Sequence, residues 1–158
     1  VIVRTATSAD AAKIAAIWNP QILETVVTFN SVPKSVEDVA VMIAQRPCFL
    51  ILEIDEKVAG FASYDQFRGG IGYANTMEHT IILAPDASGQ GAGRALMLAV
   101  MDHARAAAVH TLWAGVSAEN LVGVAFHKSM GFKTVAVLPD VGRKFDRWMD
   151  LVLMQKHL

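Results

Sequence analysis

The run Ser88-Gly89-Gln90-Gly91-Ala92-Gly93-Arg94 constrains the fold more than any other stretch of this chain. It follows an apolar segment, His79-Thr80-Ile81-Ile82-Leu83, that reads as a strand. It precedes Ala95-Leu96-Met97-Leu98-Ala99-Val100-Met101, which reads as a helix. Glycines at alternate positions leave main-chain N–H groups bare of side chains and aimed at one point. The start of the helix adds partial positive charge there, so a phosphate group can settle on main-chain donors.

Composition narrows the setting. At 158 residues and 53% hydrophobic, the chain is expected to form one domain, residues 1–158, with a substantial core. A formal net charge of −1 argues against broad contact with nucleic acid or an anionic membrane. The one cysteine, Cys48, excludes an internal disulfide and a Cys-based zinc site, and fits a reducing compartment. No stretch approaches the length of a membrane span and no signal-peptide pattern is visible, so a cytoplasmic location is expected.

The rest of the chain reads as mixed α/β. Ile2–Arg4 is a short strand, and Thr7 or Ser8 can cap a helix carrying Ile14, Ile17 and Trp18 on one face. Pro20 is expected to bend or end the first part of that helix. Ser35-Val36-Glu37-Asp38 has the form of a capping box before a buried stripe of Val39, Met42 and Ile43. Phe49–Ile54 and Val58–Tyr64, joined by Asp55-Glu56-Lys57, give a hairpin signal. Arg68-Gly69-Gly70-Ile71-Gly72-Tyr73 is a glycine-rich loop expected to be mobile and exposed. Later come a strand over Thr111–Val116, a helix over Leu121–Met130, and strands near Thr134–Leu138 and Trp148–Met154.

These residues resemble the GNAT superfamily of N-acetyltransferases, which use acetyl-coenzyme A (acetyl-CoA). In the family's loop, Q/R-x-x-G-x-G/A, Gly91 and Gly93 fill the two small positions. Ser88 stands where Gln or Arg is usual, a departure expected to weaken one pyrophosphate contact. A second family element, an Asn followed by a helix ending in Gly-Phe, is present as Asn120 through Gly131-Phe132. The glycine loop alone would also fit a turn closing an ordinary crossover; the two elements together, in the family's order, are specific. Phe67-Arg68, Tyr73, Thr76, Glu78, Ser117-Ala118-Glu119-Asn120, His127, Lys144-Phe145, Trp148 and Asp150 are similar to the branch that acetylates phosphinothricin, methionine sulfoximine and methionine sulfone. Asn19, Glu24, Thr25, Thr28 and Phe29 extend that likeness to the first part of the chain.

The resemblance implies a twisted mixed sheet of six to seven strands with helices on both faces. Its two central strands splay, and the pantetheine arm of acetyl-CoA lies in the gap. Ile81, Ile82 and Leu83 would pair with that arm through their main chain. Gly89, Gln90, Gly91, Ala92, Gly93 and Arg94 would hold the pyrophosphate, with Asn120 and Ser129 supplying side-chain hydrogen bonds. It also implies a small homodimer whose acceptor pocket lies near the subunit interface, with a small amino-acid-like acceptor.

Candidate chemistry follows. Glu78 can take the proton that an ammonium must lose before it attacks a thioester; its plain alternative is a structural carboxylate. His127 stands where many members of the family place a tyrosine that protonates the leaving thiolate, and an imidazole can do the same near neutral pH. A backbone N–H near Leu83 would stabilise the oxyanion. Arg68 has the planar fork to meet a carboxylate or sulfone oxygen. Ile71, Gly72 and Tyr73 would line the acceptor site, and Phe29 and Trp18 would close its apolar side. Period-two alternation turns His79 away from Glu78, and no metal-ligand spacing joins the histidines. Two other functions compete: acetylation of a peptide, protein or polyamine, and non-catalytic sensing of coenzyme A.

Overall fold

The computed structural model describes residues 1–158. In chain order the elements are β1 (Ile2–Thr5), α1 (Ala11–Glu24), α2 (Val36–Gln45), β2 (Cys48–Ile54), β3 (Lys57–Gln66), β4 (Thr76–Leu83), α3 (Ala92–Ala106), β5 (Thr111–Ser117), α4 (Leu121–Ser129), β6 (Lys133–Lys144) and β7 (Arg147–His157). The strands form one seven-stranded sheet in the order β1-β2-β3-β4-β5-β7-β6. Every neighbouring pair is antiparallel except β4 and β5.

That parallel pair holds together at one end only. Its rungs are Thr76↔Thr111, Met77↔Leu112 and Glu78↔Trp113, after which pairing stops. On their outer sides both strands stay paired much further, β4 with β3 as far as Leu83↔Gly60 and β5 with β7 as far as Ser117↔Leu151. The sheet therefore opens between residues 79–83 of β4 and 114–117 of β5.

Strand alternation divides the core between the two faces. Phe49, Ile51, Phe61 and Ile82 face α1 and α2, where they pack with Ile14, Trp18, Ile22 and Val39. Leu50, Leu52, Ala62, Tyr64 and Leu112 pack on the other face with Leu96, Met97 and Val100 of α3. The Tyr64 hydroxyl lies 2.6 Å from His103 Nδ1 there. On α2 the capping box forms in both directions, with Asp38 N donating to Ser35 Oγ at 3.0 Å and Ser35 N to Asp38 Oδ2 at 3.2 Å.

Two local expectations change and one is narrowed. Helix α1 continues through Pro20 to Glu24. Proline removes only the bond to the carbonyl four residues back, and both Pro20 and Ala16 are exposed, so water can satisfy that carbonyl. The β2–β3 hairpin turns on Asp55 and Glu56, both left-handed (φ 50° and 64°), which is the two-residue turn that matches strand twist. The last two strands run well past the expected 134–138 and 148–154, because β6 absorbs Pro139 and Gly142 in an irregular stretch between Leu138 and Gly142. An edge strand tolerates a proline that has no ladder hydrogen bond to give.

Candidate active site

The opening follows from main-chain direction. Ala84 N donates to Ala59 O at 2.8 Å, so even-numbered residues of β4 turn their polar main chain to β3. Ile81 and Leu83 therefore turn N–H and C=O into the gap, where β5 offers no rung. Ile82, expected to do the same, points its main chain to β3 and its side chain into the α1–α2 core.

On the α3–α4 face the gap widens into a cavity of about 650 Å³. Its walls include residues 81–85, Ser88, Gly89, Gly91, Ala92, Gly93, Arg94, Asn120, Phe126, His127 and Ser129. Gly89 and Gly91 are left-handed (φ 79° and 76°), and Gly91 caps α3. Ala95 N is the first to bond back, to Gly91 O at 3.0 Å, so the N–H groups of the first turn stay free for an anion. Gly93 permits close packing: a Cβ there would lie 3.1 Å from Phe126 Cε1 and 3.4 Å from Leu83 Cδ1. Gln90 is the one loop residue outside this wall; its Nε2 donates to Asp86 O at 2.7 Å and steadies the turn. Asn120 Oδ1 caps α4 by accepting from Gly123 N at 2.9 Å, which leaves its Nδ2 free. The Ser129 hydroxyl donates to Phe126 O at 2.6 Å and keeps its lone pairs for a ligand.

On the α1–α2 face lies a second cavity, about 260 Å³ in volume. Trp18, Phe29, Lys34, Arg46 and Glu78 line it, together with Gly115 and Ser117 of β5. The two cavities share Val27, Ile81, Ile82, Asn120 and His127, so they meet at the opening in the sheet. Glu78 leans across the opening towards Gly115, where a Cβ would come within 2.9 Å of Glu78 Oε2. Its side chain remains accessible, yet desolvation by the surrounding protein raises its pKa above the ordinary carboxylate value. Phe29 packs against Gly142 of β6. Lys144, almost fully buried, donates to Thr25 O at 2.6 Å and Thr28 O at 2.7 Å, and so ties the α1–α2 loop to the far strand.

Between the cavities two histidines touch. His79 Nε2 and His127 Nε2 are 2.9 Å apart, and His127 Nδ1 is 2.7 Å from Gly123 O. The tautomers follow from these partners: His127 Nδ1–H donates to the carbonyl, so its Nε2 must accept from His79 Nε2–H. His79 Nδ1 is then a buried acceptor without a hydrogen-bond partner. Burial, reinforced by His127, pushes the His79 pKa down to about 3. Burial also lowers that of His127. The expected acid role of His127 needs a proton on Nε2, and in this arrangement that nitrogen is an acceptor. Alternation correctly turned His79 from Glu78; what it hid was that the same turn aims His79 at α4.

The loop expected to choose the acceptor stands elsewhere. Arg68, Ile71, Gly72 and Tyr73 line neither cavity. They precede β4, at the end where β4 and β5 are still paired. Arg68 lies over the Tyr73 ring (5.7 Å to the centroid), and Ile71 is 97% exposed. Gln66 Nε2 donates to Arg68 O and Gly70 O at 2.6 and 2.7 Å, so the loop is tethered. Arg46 and Lys34 had no sequence signal, since only the packing of α2 and of the α1–α2 loop on the sheet turns them inward.

The open parallel pair thus has a glycine-lined cavity with unpaired N–H groups on one side and a carboxylate-bearing cavity on the other. Comparison with known proteins agrees. The model of the acetyltransferase (GNAT) domain matches residues 3–153, and the chain belongs to the GNAT acetyltransferase family. It is 34% identical over 160 residues to the L-amino acid N-acyltransferase MnaT of Escherichia coli, covering 99% of this chain and 93% of that one. It is 33% identical to an L-methionine sulfoximine/L-methionine sulfone acetyltransferase of Salmonella typhimurium, covering 99% and 94%. Among solved structures it superposes on a ribosomal-protein-alanine N-acetyltransferase from Brucella melitensis with a TM-score of 0.96, 35% identity and 100% of both chains covered. A Salmonella typhimurium acetyltransferase solved with its cofactor acetyl-CoA gives 0.95 at 33% identity, covering 99% and 93%.

Proposed function

We propose that this chain transfers the acetyl group of acetyl-CoA to the α-amino group of a small amino acid or analogue of the methionine sulfone, methionine sulfoximine or phosphinothricin type. The observation that carries this reading is the meeting of two cavities, one built for a pyrophosphate and one holding Glu78, at a stretch of unpaired main chain. Its relatives are named for amino-acid acceptors of this kind.

The residues suit acetyl-CoA on a point of this structure, the free N–H groups at the start of α3. Gly89, Gly91, Ala92, Gly93 and Arg94 would hold its pyrophosphate; Ile81, Leu83, Asn120 and Ser129 would take its pantetheine amides. When bound, it supplies an activated acyl thioester. Glu78 takes the ammonium proton of the acceptor, directly or through one water, and frees the amine lone pair for attack. Leu83 N–H is the free donor for the reacting carbonyl oxygen. The C–N bond would form as the thioester C–S bond breaks, and the leaving thiolate, of a thiol with an ordinary pKa of about 8.5, would take up the proton that the acylated nitrogen sheds. No acid at His127 is required, and the His79–His127 pair sets the shape of the wall where the cavities join.

We further infer a cytoplasmic homodimer. Ile71, Tyr73, Val141, Phe145 and Trp148 are exposed apolar side chains on the Arg68–Tyr73 loop and the β6–β7 hairpin. A second copy would cover such a surface. Light scattering at micromolar concentration gives two chains per particle under this reading, and one chain otherwise.

A second reading, acetylation of a protein N-terminus, draws on the name of the Brucella neighbour. Release of free thiol, measured with methionine sulfone, phosphinothricin, spermidine and an alanine-initiated peptide, separates the readings. Turnover confined to the first two supports the proposal; turnover confined to the peptide or the polyamine replaces it.

A further inference from the structure

Two cations line the acceptor cavity without an anionic partner. Arg46 ends α2, its N–H bonded back to Met42 O at 2.9 Å, and Pro47 then turns the chain into β2. Its guanidinium reaches inward, and Nη1 donates to the fully buried Ser63 Oγ at 2.6 Å. That is its one side-chain hydrogen bond, and no carboxylate lies within ion-pair distance. Burial lowers its pKa below the usual arginine value, and Asp65 opposes that only through space. Lys34 is fixed too: Asn19 bonds its main-chain N and O, each at 2.9 Å, and its ammonium sits 4.8 Å from the centre of the Trp18 ring. Glu78 is the only carboxylate residue in the same wall. Within the wall an ionised Glu78 offsets one of the two cations, and Asp65, opposite Glu78 on β3, acts on Arg46 only through space. A plain amine can pair only with Glu78 and leaves both cations unmatched, whereas an amine carrying acidic groups pairs with all three.

The spacing fits one such acceptor. Ser63 sits opposite Thr80 in the β3–β4 register, and Glu78 lies two residues along on the same face. The diagonal from Ser63 on β3 to Glu78 on β4 spans about 7–8 Å. In an α-amino acid the amine nitrogen and carboxyl carbon are about 2.5 Å apart. A hydrogen bond of about 2.9 Å at each end brings the reach to about 8 Å. An α-amino acid can thus give its amine to Glu78 and its carboxylate to a guanidinium resting on Ser63. Arg68, outside the cavity, has no comparable approach in the single chain.

We propose that Arg46 anchors the acceptor's α-carboxylate and that Lys34 takes a second anionic group at the far end of the acceptor's side chain. The cavity then selects free α-amino acids, and among them those with an acidic side chain. This rests on the amino-acid reading above and narrows it.

Steady-state kinetics of the full chain test it, with phosphinothricin (two acidic groups), methionine sulfone (one) and methionine sulfone carboxamide (none) as acceptors. The parent protein should prefer methionine sulfone over its carboxamide by on the order of a hundredfold in kcat/KM. Arg46→Gln should bring that ratio to within about threefold, chiefly through KM, and Arg46→Lys should restore part of it. Lys34→Gln should lower kcat/KM for phosphinothricin about tenfold relative to methionine sulfone. Acetyl-CoA affinity, followed by calorimetry, should stay at the parent value in all three variants and so report an intact fold. An acid-to-carboxamide ratio that survives Arg46→Gln overturns the assignment of Arg46; a phosphinothricin preference that survives Lys34→Gln overturns that of Lys34. A parent protein that binds acetyl-CoA but turns over none of the three acceptors overturns the amino-acid reading itself, a different outcome from either.

Discussion

Replacing His79 by glutamine tests the central contact between α4 and the sheet. His79 is buried, with a pKa of about 3, whereas an unfolded chain leaves a histidine near 6.5. Folding therefore excludes a proton that the unfolded chain binds. The resulting stability is fully present above pH 6.5, declines as pH falls, and stops declining only near the folded value. Between pH 7 and pH 5 this one group should remove about 2 kcal/mol from the unfolding free energy, since each pH unit below 6.5 costs about 1.4 kcal/mol. The result hardly depends on the folded value, provided it lies well below 5. Glutamine keeps an N–H to offer His127 Nε2 and cannot titrate. His127, whose pKa is also lowered, is present in both proteins and cancels in the comparison. Urea unfolding at pH 7 and pH 5 reads the difference. With a slope of about 2 kcal/mol/M, the parent midpoint should fall by about 1 M more than that of His79→Gln. Equal losses in the two proteins would show that His79 is protonated in the folded state, and the tautomer assignment at His127 would fall with it.

Other substitutions probe the remaining parts. Glu78→Gln should lower kcat by about 10²- to 10⁴-fold at neutral pH while leaving the acetyl-CoA dissociation constant unchanged; a full rate would remove Glu78 from proton transfer. Because burial raises the Glu78 pKa, the acid limb of the parent's kcat/KM profile should lie above the ordinary carboxylate range, and this limb should vanish in the glutamine variant. Lys144→Met should release the Thr25 and Thr28 carbonyls, raise the acceptor KM several-fold and speed proteolysis between α1 and α2; unchanged proteolysis would show that Phe29 packing suffices to hold the loop. Gly93→Val should crowd Phe126 and Leu83, costing about 1–3 kcal/mol of stability and weakening acetyl-CoA binding. Parent-like affinity in that variant would mean the two walls move apart freely.

The legible part of this fold was its local chemistry. The capping box on α2, the charged turn at Asp55–Glu56 and the glycine loop before α3 are short-range patterns, and each formed where the residues pointed. Breakers misled where tertiary context outweighed them: Pro20 faces water, and Pro139 lies on an edge strand, so neither ended its element. Around the opening, Glu78 and the glycine loop line the two cavities, and both were legible because one strand and one loop carry them in sequence. Ile82 failed the main-chain role for a simple reason: three successive residues of a strand cannot all face one neighbour. Arg46, Lys34 and the partner of His79 come from elements far apart in the chain, and only packing brings them together. The Arg68–Tyr73 loop looked like an acceptor wall because it precedes Glu78 in sequence, yet pairing over Thr76–Glu78 separates it from the opening.

Residue-resolved hydrogen exchange of the β4 amides, with and without acetyl-CoA, reaches the opening between β4 and β5 most directly. Ile81 and Leu83 N–H have no strand partner, whereas the main chain of Ile82 faces β3 throughout. Saturating acetyl-CoA should slow exchange at Ile81 and Leu83 by at least about tenfold and leave Ile82 at its already slow rate. Exchange at Ile81 and Leu83 that is unchanged while acetyl-CoA is bound would place the ligand somewhere other than this gap.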